Sequence, residues 1–247
     1  MRKIAILSGK GGVGKTTITA NLGMALNQLG YSVCLVDANI ATANLGLHFG
    51  LTYYPVTLKE ILNNRFSMQD SVFIHPSGLR IIPGSLSVAD SKAVDICALR
   101  QKLDQLEYDF ILVDCAPGLE REVITTAQSC NEILVVTAPE LPALTDALKL
   151  IKIANQNEIS IKGIVLNRIR RKPFELNPEE ISSVTELPLI AKIPEDANFS
   201  RAIALKTPLV GLKPYSLAAR QIKKAAAGIA GIELKESLFL RLRSFFS

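Results

Sequence analysis

Metal-ligand and disulfide chemistry are what this chain most visibly lacks. Its 247 residues hold two isolated histidines, His48 and His75, and four cysteines, Cys34, Cys97, Cys115 and Cys130, with no C-x-x-C pair among them. That spacing points away from the common zinc and redox signatures, and the cysteines read as reduced core thiols. No apolar run reaches the length needed to cross a bilayer, and no repeat or low-complexity tract interrupts the chain. Met1-Arg2-Lys3 leads straight into an apolar strand pattern, so no signal peptide is expected and the chain is placed in the cytoplasm. Against these absences, 48% hydrophobic residues supply the core of one α/β domain, and a net charge of +5 hints at an anionic partner.

What is present begins with Gly9-Lys10-Gly11-Gly12-Val13-Gly14-Lys15-Thr16, followed by Thr17. It satisfies G-x-x-x-x-G-K-[ST], in which glycines let backbone N–H groups turn inward on phosphates, the lysine reaches the β- and γ-phosphates, and the hydroxyl sits on Mg²⁺. Ile4-Ala5-Ile6-Leu7 reads as a buried strand before it. After it, Ile18, Leu22, Ala25, Leu26 and Leu29 share one helical face, which puts a helix N-terminus at the phosphates. Nucleoside triphosphate binding is the expectation.

Short apolar runs alternate with helical patterns along the chain: 4–7, 33–36, 79–82, 110–113, 133–136, 164–166 and 189–193. This predicts a single three-layer α/β domain, a mostly parallel sheet with helices on both faces. Sheets of this kind bind ligands at the carboxyl ends of their strands. There the sequence places the glycine loop, Asp37, Asp114, Pro139, Asn167 and Pro194-Glu195-Asp196.

Lys10 is not required by the phosphate loop, and with it the loop reads K-G-G-x-G-K-T. In this the chain resembles the deviant Walker A family of P-loop ATPases, the MinD/ParA family, and the resemblance extends over nearly its whole length. It implies an ATPase using ATP/ADP and Mg²⁺, in which Lys10 reaches across a homodimer interface to the partner's phosphates. It also implies Mg²⁺ contacts from Thr16, Asp37 and Asp114, and a γ-phosphate contact from the Gly118 N–H in Asp114-Cys115-Ala116-Pro117-Gly118. The family writes that last segment D-x-P-A-G, so Ala116 and Pro117 stand in reversed order here.

Val36-Asp37-Ala38-Asn39 through Asn44-Leu45 resembles the MinD pattern V-D-x-D-x-x-x-x-N-L, with Asn39 in place of the aspartate that orients the attacking water. Asparagine can hold a water but cannot take its proton, so binding should survive and turnover should be slow. Asn167-Arg168 resembles the family's adenine-reading element, and Pro194-Glu195-Asp196 the loop that closes over the base. Taken without the resemblance, an asparagine at a strand end is more often a turn former.

The last residues carry a second signal. Leu238, Phe239, Leu242, Phe245 and Phe246 fall on one helical face flanked by Arg241 and Arg243, the pattern of a helix lying on an anionic membrane. The same stripe also fits a helix packed back on its own domain. Burying five such side chains contributes at most about 7 to 15 kcal/mol. Ordering a dozen residues costs on the order of 12 kcal/mol, so one tail binds marginally and two on one dimer bind well. Gly228-Ile229-Ala230-Gly231 reads as a hinge, which divides the chain into an ATPase domain, 1–234, and a membrane-targeting helix, 235–247.

The resemblance thus implies a MinD-type ATPase in cell-division site placement or spatial positioning. It would be cytoplasmic and peripheral on the inner face of the cell membrane, with hydrolysis stimulated by a regulatory protein and releasing it. A ParA-type partition ATPase is the first alternative, binding DNA through Arg168, Arg170, Arg171, Lys172, Arg220, Lys223 and Lys224. An ATP-binding scaffold with little turnover is the second. A nitrogenase-type reductase fails, because Cys97 and Cys130 lack the glycine-rich settings of a shared cluster.

Overall fold

The computed structural model describes residues 1–86 and 95–233. The expected tail residues Leu238, Phe239, Arg241, Leu242, Arg243, Phe245 and Phe246 therefore lie outside the described residues, as does the proposed division of the chain at residue 234.

The strands are β1 (Arg2–Leu7), β2 (Val33–Asp37), β3 (Phe73–Ile74), β4 (Arg80–Ile82), β5 (Phe110–Asp114), β6 (Glu132–Thr137), β7 (Ile161–Ile169) and β8 (Leu189–Pro194). They form one sheet in the order β3-β4-β2-β5-β1-β6-β7-β8, parallel throughout except for β3, which runs antiparallel to β4. Every expected apolar run became a strand. The two-residue β3 was not foreseen, since it is too short to carry a periodicity.

The helices are α1 (Lys15–Gln28), α2 (Leu58–Leu62), α3 (Leu99–Leu103), α4 (Arg121–Gln128), α5 (Leu141–Gln156), α6 (Pro178–Thr185), α7 (Asn198–Ala204), α8 (Leu209–Leu212) and α9 (Leu217–Ala230). Two apolar cores result, one on each sheet face. Ile4, Ile6, Leu35, Leu112, Leu134 and Val165 meet α1 and α9 on one side. Ala5, Leu7, Val113, Val135 and Leu166 meet α3, α4 and α5 on the other. Central strands buried on both faces need continuous apolar runs, which is why they were readable.

Helix α1 is more enclosed than a single apolar stripe implies. Residues Ile18 through Leu26 are all buried, because β1, β2 and β5 lie beneath it and α9 beside it. Close approach needs small residues: a Cβ on Gly23 would stand 2.4 Å from Leu35 Cδ2. Ala218, Ala219, Ala225 and Ala226 bring α9 in. The expected hinge is also displaced. Gly228, Ile229 and Ala230 belong to α9, and the chain turns only at Gly231, in the left-handed region at φ 74°. Ile229 is core, and its carbonyl accepts from the Arg2 guanidinium, which holds the end of α9 to the start of β1.

Three cysteines, Cys34, Cys115 and Cys130, are buried with their thiols pushed toward the protonated form by desolvation. Cys97 is exposed, contrary to the expectation of a core thiol, because it sits on a surface 3₁₀ turn after Asp95. Among the described residues no helix is long and apolar enough to cross a membrane.

Candidate nucleotide site

β1 ends at Leu7 and α1 begins at Lys15, so the glycine loop joins the carboxyl edge of the sheet to a helix N-terminus. Gly14 caps that helix in the left-handed conformation, φ 94°, with no side-chain hydrogen bond to the first-turn N–H groups. An uncapped N-terminus presents oriented donors to an anion. Two contacts explain glycines here: a Cβ on Gly9 would lie 2.3 Å from the Asp146 carbonyl oxygen of α5, and one on Gly14 would lie 2.4 Å from Asn167 Nδ2. The loop is therefore wedged between α5 and β7.

β2 and β5 are neighbours in register, with Asp37 opposite Asp114, so the two carboxyl groups stand side by side at the strand tips, and that of Asp114 meets the first turns of α1. Lys15 Nζ lies 2.8 Å from Asp114 Oδ1, with the side chains 5% and 1% exposed. Thr16 Oγ1 donates to Asp114 Oδ2 at 2.7 Å, and Thr19 Oγ1 to Asp114 Oδ1 at 3.2 Å. Thr19 was missed in the sequence. Its spacing of one helical turn from Lys15 is the signal that would have found it.

Asp37 is held by backbone, accepting from Asn39 N at 3.2 Å and Leu45 N at 2.9 Å. Burial, then the Asp114 carboxylate beside it, push its carboxyl up to about 7. Two adjacent buried carboxylates and a threonine hydroxyl make a hard oxygen set, and it fits Mg²⁺. Thr16, Asp37 and Asp114 are the groups that would hold the ion directly or through water. Bound there, the ion would neutralise charge on the β- and γ-phosphates.

The remaining expected residues divide. Lys10, Gly11 and Gly12 are exposed at the loop's crest, whereas Val13 is buried, and Thr17 is half-buried with its carbonyl accepting from Asn21 Nδ2. Asn39 is buried, and its side-chain oxygen accepts from Thr42 N and Thr42 Oγ1, each at 3.2 Å, capping its own turn. The Gly118 N–H donates to Ser8 O at 3.0 Å, so reaching a γ-phosphate requires this loop to shift.

Asn167 lies inside β7, which continues through a left-handed Arg168 at φ 60° to Ile169. Its Nδ2 donates to Val13 O at 2.8 Å, and its buried Oδ1 has no partner among the described residues. A buried acceptor left open beside the phosphate loop is available to an amine such as adenine N6. Glu195 N donates to Ile169 O, which seats the Pro194-Glu195-Asp196 loop against the end of β7, and Asp196 Oδ1 accepts from Asn198 N at 2.8 Å. The carboxyl edge thus collects every expected nucleotide residue, with Arg168 on its exposed rim.

A strand–glycine loop–helix unit with paired carboxylates at adjacent strand tips defines a P-loop NTPase. The sequence matches the ParA family, described as NUBPL iron-transfer P-loop NTPase, over residues 1–230, and the chain belongs to that family. Among solved structures it is similar to the cell division ATPase MinD of Pyrococcus furiosus, with 36% identity, TM-score 0.89, and coverage of 93% of this chain and 98% of that one. It is similar also to the septum site-determining protein MinD of Pyrococcus horikoshii complexed with Mg-ADP, with 34% identity, TM-score 0.88, and coverage of 95% and 99%. A third is the MinC:MinD cell division protein complex of Aquifex aeolicus, at 28% identity, TM-score 0.86, and coverage of 96% and 99%. The chain is an ATP-binding P-loop protein of the MinD cell-division group, whose nucleotides are ATP and ADP with Mg²⁺.

The raised Asp37 carboxyl gives a pH signature. A group whose folded pKa, about 7, exceeds its ordinary value of 3.8 favours the fold fully below the lower figure and loses that contribution as pH rises through the upper. Nucleotide-free protein without divalent cation should therefore lose thermal stability between about pH 4 and 7 through this group, and Asp37→Asn should flatten the slope. Thermal midpoints across that range check it; parallel curves for the two proteins would contradict the assignment.

Proposed function

We propose that this chain is a MinD-type positioning ATPase that dimerises on ATP, attaches to the inner face of the cell membrane, and leaves it on hydrolysis. The observation that carries the reading is the contrast between two lysines of one loop. Lys15 is buried against Asp114, while Lys10, five residues earlier, is exposed at the crest. An exposed loop lysine is placed to reach a second nucleotide, where a cation offsets charge on the transferred phosphoryl group. In this reading Gly9 through Thr17 hold the phosphates, Thr16, Asp37 and Asp114 serve Mg²⁺, Gly118 meets the γ-phosphate, and Asn167, Arg168 and Pro194-Glu195-Asp196 take the adenine.

Residues 235–247 are proposed as the membrane element and 1–234 as the ATPase domain. A regulatory protein is proposed to stimulate hydrolysis. Vesicles of anionic phospholipid should pellet the protein with ATP and Mg²⁺ but not with ADP, and deletion of residues 236–247 should abolish pelleting. Pelleting that ignores the nucleotide, or survives the deletion, would overturn the membrane reading. Retention on DNA instead of vesicles would favour the partition alternative.

Asn39 supports a second, narrower reading, an ATP-dependent assembly with slow turnover. Its amide occupies the position where the family pattern has a carboxylate, and it cannot accept a proton. Asn39→Asp should raise turnover by about 100-fold or more without tightening ATP binding. Equal steady-state phosphate release by the two proteins would show that the carboxylate is dispensable.

A further inference from the structure

Arg170 belongs to the basic run of the partition alternative, yet in the fold its side chain gathers three carboxylates from three parts of the chain. Its Nη2 donates to Glu140 Oε1 at 2.8 Å, and its Nε stands 3.4 Å from Glu175 Oε1 and 3.5 Å from Glu195 Oε2. Backbone bonds fix its place: the Arg170 N–H donates to the two Glu175 oxygens at 3.1 and 2.9 Å, and Glu175 Oε2 also accepts from Lys172 N. The other two carboxylates have separate addresses. Glu140 is the N-cap residue of α5, the helix whose Asp146 backbone supports Gly9 of the phosphate loop. Glu195 is the centre of Pro194-Glu195-Asp196.

We infer that Arg170 is a positioning residue that ties the Pro194–Asp196 loop to the head of α5, and so sets the spacing between the base and phosphate halves of the nucleotide site. This rests on the proposed assignment of Asn167 and Pro194–Asp196 to the base. One helix, α5, then serves as the common reference: its head holds the base loop through Glu140 and Arg170, and its second turn backs the phosphate loop at Gly9.

The side chains of Arg170, Glu140 and Glu195 are 36%, 41% and 48% exposed, so each pair alone is weak. Together they order one guanidinium once and balance charges that otherwise repel. Without the cation, Glu195 faces Glu140 and Glu175 uncompensated. Glu175 is 5% exposed with its carboxylate held by backbone N–H groups, whereas Glu195 is 48% exposed and its segment is bonded to β7 through its backbone N–H to Ile169 O, which leaves its carboxylate as the part that yields.

Binding of ATP and of inorganic tripolyphosphate, which engages the phosphate half alone, separates this role from a general structural one. Arg170→Ala should weaken ATP by about three- to tenfold, the sum of two or three exposed pairs, while leaving tripolyphosphate affinity unchanged. Adding Glu140→Gln to Arg170→Ala should restore most of the ATP affinity, because it removes a charge that Glu195 would otherwise face, at a residue outside the proposed base loop. Unchanged ATP affinity in Arg170→Ala, an equal loss for tripolyphosphate, or failure of the double variant to recover would overturn the inference. Asn167→Ala in the same assay distinguishes the underlying reading. A loss there with none in Arg170→Ala defeats the Arg170 inference alone, whereas no loss in either defeats the base assignment as well.

Discussion

Lys15 and Asp114 meet with both side chains almost wholly out of water, and the rest of the site is organised by that contact. A buried pair of this kind is weak evidence of net stability, but removing one partner typically costs about 3 to 5 kcal/mol, because a charge is left uncompensated. Thr16 and Thr19 fill further acceptor positions on Asp114, while Asp37, next along the sheet edge, is left with backbone donors and a carboxyl that holds its proton up to about 7. The strand side of the site therefore favours a cation, and the helix side favours an anion. Mg²⁺ with ATP satisfies both at once, since the ion answers the carboxylates and the phosphates answer Lys15 and the N-terminus of α1.

The same logic explains why a glycine loop is required and not merely tolerated. Gly9 is pressed on α5 and Gly14 on Asn167, so the phosphate cradle is referenced to a helix on one sheet face and a strand beside it. A side chain at either place would push the cradle away from its supports. Asn167 completes the arrangement by donating to Val13 O, which links the proposed base reader to the loop it serves.

How far this was legible in the sequence depended on separation along the chain. The phosphate loop and the carboxylates at 37 and 114 were readable because a local pattern or a strand end marks each of them. Central strands such as β1 and β5, buried on both faces, wrote themselves as unbroken apolar runs. The Arg170 cluster was not readable, since Glu140 lies 30 residues upstream and only the fold brings them together. The hinge was misread for a related reason: glycine in a helix costs about 1 kcal/mol, yet Gly228 stays helical because α9 packs its neighbours Ala225, Ala226 and Ile229 against the core. Cys97 followed composition rather than position, and only the turn after Asp95 put it at the surface.

Two lysines of one loop differ in burial, Lys15 committed inward and Lys10 exposed, and the proposed function gives the exposed one to a second subunit. The mass of the particle in solution tests this most directly. Light scattering of the full chain should give a monomer with ADP and Mg²⁺ and a dimer with ATP and Mg²⁺, and Lys10→Ala should remain monomeric with ATP while still binding it. The same mass in both nucleotide states, or an ATP dimer undiminished in Lys10→Ala, would contradict a site completed across two subunits.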